Sequence, residues 1–424
     1  MPQFRRKPKQ FLSECLPDEV VNDILTGLPV KSLIRFRCVS KSWNSIITNP
    51  IFITTHINRP KSLSNNNGYM LYMPEREDYF NNYVQHLCTI VCNSDRTLTH
   101  ISTFQLPFPA HIVGFCNGMF CLYHQLYNKM YLWNPSIRKF KMLPNHHLTD
   151  PSAPVAIGLA YHSQNNDFKI LRIVCFRGSN APPAEAEVYT LSTDSWRRVV
   201  ISLESELNIG SIDFIDIAPC LFFNGALHSI VFSGHYKFIL SFDVNDETFR
   251  LIMLPQNYRD GIFNITLKKL AVFKGSLALF VSCVDLDGDS ICQIWVMREY
   301  GVVESWIKIS GPVDSVKYFF GCTDSGELLL DTFCRGVVSY DLESLNENNL
   351  GIQSARWLSY TTDLMENLVL LDQVKCNLSG ENVTCKFLRM RLALRARSLS
   401  VLLWPFSIGL VLGVILLVLL LVIY

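Results

Sequence analysis

The chain has 424 residues, which is enough for two or three domains. Its 38 Lys and Arg nearly balance its 37 Asp and Glu, so no global field attracts nucleic acid or acidic substrates, and we expect no nucleic-acid partner. The fourteen cysteines are scattered and form no Cys-x-x-Cys pair, which predicts buried thiols in a reducing compartment.

Residues 1–12 form a basic stretch that includes Arg5-Arg6-Lys7. No apolar segment follows these charges, so the pattern does not fit a secretory signal. The sequence predicts a flexible, solvated arm.

A first amphipathic helix is predicted from Pro17, a residue that suits a first helical turn. Two acidic residues follow it and complement the positive end of the helix dipole. The apolar residues recur at helical spacing and are expected to form one stripe: Val20, Val21, Ile24, Leu25 and Leu28.

Two shorter helices follow. Leu28-Pro29 restarts the chain, and the second helix presents Val30, Leu33 and Ile34 on one side. Ser40 is a good cap for a third helix, which Asn49-Pro50 ends. A unit of about forty residues buries too little apolar surface to be stable alone, so we expect some of these side chains to need a partner.

The segment resembles the F-box over residues 13–53, in Leu16-Pro17, Leu28-Pro29, Lys31-Ser32-Leu33 and Val39-Ser40-Lys41-Ser42-Trp43. The resemblance implies docking on a Skp-type adaptor, and through it on a cullin scaffold. By the family pattern the following residues form or support the adaptor-facing surface: Leu16, Pro17, Ile24, Leu28, Pro29, Leu33, Val39 and Trp43, the last as the anchor of the third helix. For each of them, a place in the internal core of the domain is the alternative.

Residues 54–68 are predicted to be a linker, and residues 69–372 an all-β domain of short strands. Its turns recur at positions 118, 167, 225, 275 and 326, which are spaced by 49, 58, 50 and 51 residues. This is close to the roughly fifty-residue period of kelch-type propeller blades. Five periods are visible, and an ordinary β-sandwich is the alternative.

The stretch from Tyr69 to His111 has strand-like runs without the repeat. It is predicted to supply another blade or the strand that closes the ring, so the number of blades stays open.

A second resemblance lies in this region. Gly114-Phe115-Cys116-Asn117-Gly118, Leu132-Trp133-Asn134-Pro135-Ser136, Gly158-Leu159-Ala160-Tyr161 and Glu366-Asn367-Leu368-Val369-Leu370 resemble the F-box-associated domain of the plant F-box/kelch class. The expected fold is α+β multidomain: a three-helix F-box, then a kelch-like β-propeller, with a hydrophobic helix at the carboxyl end.

No catalytic centre, metal site or cofactor is predicted. Asp285-Leu286-Asp287-Gly288-Asp289 begins like a calcium loop, but Val296 stands where an EF-hand needs its bidentate Glu, which favours a hairpin turn. His146-His147 has no carboxylate or cysteine at ligand spacing, so we expect a solvated loop or a satisfied core there.

The carboxyl end has a different composition. Residues 373–398 read as a basic linker, and residues 399–424 as a transmembrane helix, since Val401 to Tyr424 are 24 residues without a charge. Arginines precede this stretch, so membrane insertion by residues 401–424 would leave the body of the protein facing the cytosol. A soluble apolar tail, with the protein in cytoplasm or nucleus, is the alternative.

The two resemblances together imply a non-catalytic substrate receptor of a ubiquitin ligase, with an unknown protein target. A glycan-binding receptor that uses Trp133, Trp196, Trp295 or Trp306 is one alternative. A self-incompatibility role and a propeller enzyme are two others. The resemblance does not say which propeller loops bind the target.

Overall fold

A computed structural model describes residues 17–58, 68–75, 85–92, 98–124, 127–150, 153–176, 182–203, 212–256, 264–284, 290–313, 316–361 and 366–371. The predicted basic arm, Leu16, the calcium-like loop and the predicted basic linker and transmembrane helix all lie outside these ranges. Within them, no helix has the length and apolar character needed to cross a membrane.

Residues 17–58 form a domain of four short helices, named the helical domain below: α1 (Asp18–Thr26), α2 (Val30–Phe36), α3 (Lys41–Ile47) and α4 (Pro50–Ile57). The prediction of three helices missed α4, which extends the helical domain to Ile57, and residues 59–67 of the predicted linker lie outside the described residues. Asn49 accepts a hydrogen bond from Ile51 N (2.8 Å) and Pro50 occupies the first turn of α4. The Asn-Pro pair therefore ends one helix and begins the next.

The described residues between 68 and 361 form six antiparallel sheets arranged as a propeller. Blade one contains β1 (Gly68–Pro74), β2 (His86–Cys92), β3 (Leu98–Gln105) and β25 (Ala355–Thr361). Blade two contains β4 (His111–Cys116), β5 (Met119–His124), β6 (Lys129–Asn134) and β7 (Lys139–Met142). Blade three contains β8 (Val155–His162), β9 (Asp167–Val174), β10 (Glu185–Thr190) and β11 (Ser195–Val199).

Blade four has a divided inner strand, β12 (Phe214–Ile215) and β13 (Leu221–Phe223), followed by β14 (Ala226–Ser233), β15 (Tyr236–Asp243) and β16 (Phe249–Met253). Blade five contains β17 (Asn264–Phe273), β18 (Ser276–Val284), β19 (Ser290–Met297) and β20 (Trp306–Pro312). Blade six contains β21 (Val316–Cys322), β22 (Leu328–Thr332), β23 (Gly336–Tyr340) and β24 (Glu347–Ile352).

The predicted turns are confirmed as the connections between the first and second strands of blades two to six. Three of them have positive φ at both central residues: Asn117-Gly118 (47° and 73°), Asn224-Gly225 (49° and 72°) and Lys274-Gly275 (46° and 77°). This is the type I′ geometry that matches the twist of a hairpin. The repeat that the sequence shows is therefore a repeat of hairpin turns.

The ring closes where the two ends of the β domain meet. Strand β25 pairs with β1 in a register that sets Thr361 opposite Tyr69. Trp357 of β25 also reaches blade two, with ring centroids 6.3 Å from Phe115 and 5.9 Å from Phe120. The segment from Tyr69 to His111 thus does both things predicted of it, since it supplies three strands of a blade and closes the ring.

A network of charged and polar side chains stabilises the closure of the ring, on the side where β1 ends. Lys317 Nζ lies 2.8 Å from Glu75 Oε2 and 3.2 Å from Ser354 Oγ. Ser354 Oγ in turn lies 2.7 Å from an oxygen of the buried Asp331. The hydrogen bonds from Lys317 and Ser354 hold the pKa of Glu75 below its ordinary value.

The inner strands approach one another closely, and this explains two glycines in the resemblance. A Cβ at Gly114 of β4 would lie 2.5 Å from Leu159 Cβ of β8. A Cβ at Gly158 would lie 2.6 Å from Cys220 Cβ, beside blade four. Only glycine permits this spacing between neighbouring blades.

Blades four and five are also joined by a buried polar group. His228 of β14 is 1 % exposed; its Nε2 lies 2.6 Å from the Tyr300 hydroxyl, and its Nδ1 lies 3.2 Å from Leu221 O. Because the carbonyl only accepts, Nδ1 donates to it and Nε2 accepts from Tyr300. Burial lowers the pKa of His228 to about 4, against partial opposition from hydrogen bonds to backbone.

We therefore predict that the propeller loses stability on acidification through His228. The unfolded chain takes up a proton near pH 6.5 and the folded chain only near pH 4, so stability present above pH 6.5 is lost as the pH falls through this window. The loss between pH 7 and pH 5 is about 2 kcal/mol, measurable as the free energy of urea unfolding. His228→Gln should remove this part of the pH dependence, whereas His235→Gln, at an exposed position, should keep it. An equal slope in the two variants would contradict the assignment.

Candidate functional site

The helical domain divides its apolar residues between an inner and an outer surface. Leu25, Val30 and Leu33 are at most 1 % exposed and form its core with Ile47, Phe52 and Ile53. Val20 and Ile24 are 41 % and 52 % exposed. The single stripe predicted for α1 is therefore split, with Leu25 facing inward and Val20 and Ile24 facing outward.

The residues predicted for the adaptor surface fall into three groups. Pro17, Ile24, Pro29 and Val39 are exposed, and Val39 is 64 % exposed although it is apolar. Leu28 and Trp43 are half-buried against the core, and Trp43 also packs on Phe36 with ring centroids 5.3 Å apart. Leu33 is fully buried in the core of the helical domain.

The core of the helical domain is completed by residues from the far end of the chain. We call residues 366–371, which follow β25, the strap. Leu368 and Leu371 of the strap are 0 % and 5 % exposed and belong to the same cluster as Leu25 and Leu33. Glu366 Oε2 accepts a hydrogen bond from Val30 N at the start of α2 (3.0 Å), where a carboxylate also complements the helix dipole.

The same strap is held by the propeller. Asn134 of blade two is fully buried, and its Nδ2 donates to Asn367 Oδ1 (2.7 Å) and Val369 O (2.9 Å). Asn367 Nδ2 donates to Asn117 O (2.6 Å). Lys139 Nζ donates to the carbonyl of Leu371 (3.1 Å). The strap therefore lies between the two domains, with side chains in each.

Direct contacts add to this junction. Ile57 of α4 packs in the cluster between blades two and three together with Leu370. Asn58 Nδ2 donates to Asn166 Oδ1 (2.5 Å), and the Tyr161 hydroxyl donates to Asn58 Oδ1 (3.3 Å). The helical domain thus sits on the side of the ring that carries the first turn of each blade, the entry face, where β1 begins and β25 ends.

Antiparallel strands reverse direction, so the turns after each second strand lie on the other side of the ring, the far face. Four of the five exposed aromatic residues among those described lie towards this face: Phe214, Tyr236, Tyr318 and Phe333. Phe333 is 71 % exposed, at the tip of a turn that Arg335 N fixes by donating to Thr332 Oγ1 (3.1 Å). Beside it is a shallow depression lined by Lys317, Thr332, Cys334, Arg335 and Ser354.

The tryptophans considered for glycan stacking are mostly interior. Trp133, Trp196 and Trp306 are at most 9 % exposed. The indole nitrogens of Trp196 and Trp306 donate to Pro144 O (2.9 Å) and Met253 O (3.1 Å). These side chains stabilise contacts within the propeller and leave no face on which a sugar could stack.

The two adjacent histidines, His146 and His147, both form hydrogen bonds with neighbouring residues. His146 is buried and its Nε2 lies 3.1 Å from Asn128 Oδ1, whereas His147 is exposed and its backbone N donates to Glu187 Oε2 (2.9 Å). Across the described ranges, no three or more His, Cys, Asp or Glu side chains are grouped so that they could hold a metal ion.

The sequence did not mark the strap as part of this site. Glu366 to Leu370 stand out only in the resemblance, and nothing in a six-residue stretch with four apolar residues indicates which partner it contacts. The amphipathic pattern of the helical domain shows that apolar residues exceed what a small core can bury, and this excess is the one signal that points to an added segment.

Comparison with known proteins agrees with this architecture. Residues 13–55 match the F-box domain, and residues 80–355 match the F-box associated beta propeller domain. The chain is 27% identical over 347 residues to the F-box/kelch-repeat protein At3g23880 of Arabidopsis thaliana, a match that covers 78% of this chain and 89% of the relative. It is 26% identical over 390 residues to the F-box protein CPR1 of Arabidopsis thaliana, with 84% and 89% covered.

The two matches cover both domains described above, and the second spans more than half of the chain. The chain therefore belongs to the family of F-box proteins that carry an F-box associated β-propeller domain.

Proposed function

We propose that this chain is the substrate-recognition subunit of a Skp-cullin-F-box ubiquitin ligase, in which it has no catalytic role of its own. The F-box docks on a Skp-type adaptor, and the propeller holds a protein target near the charged ubiquitin-conjugating enzyme. The chain would then act by proximity, which raises the effective concentration of a lysine on the target.

The observation that carries this proposal is the exposed apolar surface of the F-box. Val20, Ile24 and Val39 lie outside a core that is already filled, and apolar side chains exposed on so small a domain are typical of a docking surface. We propose that Pro17, Ile24, Pro29 and Val39 contact the adaptor, together with Leu16. Leu28, Leu33 and Trp43 then act from beneath by holding the helices in place.

We propose that the target binds the far face of the propeller. The F-box and the strap occupy the entry face beside blades two and three, whereas exposed aromatic residues are concentrated on the far face. Aromatic side chains contribute strongly to protein interfaces, and the backbone of the turn that carries Phe333 is fixed by a hydrogen bond, so little backbone entropy would be lost on binding.

The other candidate functions receive less support. The burial of Trp133, Trp196 and Trp306 removes three of the four stacking surfaces considered for a glycan-binding receptor, and the fourth, Trp295, is half-buried. A role in self-incompatibility would use the same two docking surfaces with a particular target, and so differs from general protein turnover only in the identity of that target.

For residues 401–424 we propose insertion in a membrane, on the basis of their uncharged sequence. The F-box and the propeller would then work at a cytosolic membrane surface.

Our first prediction here concerns the adaptor. Ile24→Asp combined with Val39→Asp should weaken binding of purified Skp-type adaptor at least about tenfold, because each change places a charge in an apolar interface. Both positions are exposed, so the free energy of unfolding should change by no more than about 0.5 kcal/mol per site. Leu16-Pro17→Ala-Ala should also reduce co-precipitation.

Ile51→Asp is the matched control, since Ile51 is 76 % exposed on α4 and is not in the proposed surface. If the double variant binds the adaptor as tightly as Ile51→Asp does, the proposed surface is wrong.

A second prediction concerns the target face. Proximity labelling in the presence of a proteasome inhibitor should list proteins that accumulate near the wild-type chain. Phe333→Asp should remove these neighbours and leave the adaptor labelled, whereas Leu345→Asp, an exposed change on the entry face, should keep both. Neighbours that persist in the Phe333 variant would place target binding elsewhere.

A third prediction concerns the carboxyl end. Residues 401–424 should keep the chain in the membrane pellet after carbonate extraction. Val414→Arg with Leu417→Arg should release it, because each charge costs about 3 kcal/mol at the centre of a bilayer. If carbonate extraction released the wild-type chain into the supernatant, the proposed membrane insertion would be refuted.

A further inference from the structure

We infer that the strap completes the core of the F-box. The F-box can then bind its adaptor only after the propeller ring has closed. The consequence for the adaptor rests on the function proposed above. The dependence of the F-box fold on the strap does not.

The first step is the composition of the F-box core. Eight buried residues form it, and two of them, Leu368 and Leu371, come from the strap. They are as inaccessible as the residues of the F-box itself, with Leu368 at 0 % and Leu371 at 5 % exposure. Without them the remaining side chains, including Val30 and Leu33, would lie beside a void or water.

The second step is the polar contact at the same place. Glu366 is the group that accepts the hydrogen bond of Val30 N, the first amide of α2. Pro29, at the cap position of this helix, makes no side-chain capping bond. The strap therefore supplies both an apolar and a polar element that the F-box sequence lacks.

The third step is how the strap is held. Asn134 and Asn367 are both fully buried, and their side chains are joined at 2.7 Å. Asn134 also binds the carbonyls of Asn367 (3.0 Å) and Val369 (2.9 Å). Buried amides of this kind fix one position of the backbone, since any shift would leave polar atoms without partners.

The fourth step is the position of the strap in the chain. Residues 362–365 alone separate it from β25, the strand that closes the ring against β1. The register of β1 and β25 sets Tyr69 beside Thr361. The segment that follows the F-box and the segment that leads to the strap therefore both lie at the entry face of blade one. If β25 were not paired with β1, the strap would not be placed against the F-box. The core of the F-box would then lack the strap residues.

The inference predicts which parts of the chain open together, and hydrogen exchange of the full chain measures this. Leu371→Ala should raise the exchange rates of amides in α2 and α3 roughly a hundredfold, because it removes strap atoms from the F-box core. Leu358→Ala, which removes a buried side chain of β25, should raise the same rates at least about tenfold through loss of ring closure. Adaptor affinity should fall in both variants.

Leu342→Ala is the matched control. Leu342 is as buried as Leu371, at 6 % exposure, but it packs in the cluster between blades five and six. This variant should accelerate exchange in those blades and leave α2 and α3 at the wild-type rates.

Wild-type exchange rates in α2 and α3 of the Leu371 variant would overturn the inference. So would rates in the Leu342 variant that rise as much as those in the Leu358 variant. A wild-type chain that does not bind the adaptor would refute the proposed function, but the exchange result would still decide whether the strap completes the F-box.

Discussion

The pairing of β25 with β1 is the constraint on which the rest of the structure depends. It joins residues near the two ends of the β domain, and it converts six separate sheets into a ring in which every blade has two neighbours. Its register also brings Tyr69 and Thr361 to the same edge. The F-box precedes that edge in the chain and the strap follows it, so both reach the entry face for the same geometric reason.

This arrangement gives the F-box two different apolar surfaces. One is shared with the strap and is filled by Leu368 and Leu371. The other, with Ile24 and Val39, is exposed and is available for a partner. A domain of this size cannot cover both surfaces with its own residues. The strap, a later segment of the same chain, covers one of them. The F-box lies on the entry face, whereas four of the five exposed aromatic residues among those described lie towards the far face.

Much of the fold could be predicted from local signals. Hairpin turns depend on residues that tolerate positive φ, so Asn117-Gly118 and Asn224-Gly225 were visible as turns, and their spacing indicated the blades. The number of blades was not visible, because blade one is assembled from both ends of the domain. The fourth helix was missed because an Asn-Pro pair can either end a helix or begin one. Here Asn49-Pro50 does both. The strap was missed because burial between two domains leaves no periodic pattern.

The sequence by itself determined the local elements: the helices of the F-box, the hairpins of the propeller and the family to which both belong. These follow from backbone preferences and short-range spacing, which each segment carries within itself. Only the tertiary structure decided which apolar residues are inside, that Leu33 is buried while Ile24 is exposed, and that Leu368 and Leu371 complete a core more than three hundred residues away. Burial is a property of what packs against a residue, and a chain reveals those neighbours only when it has closed on itself.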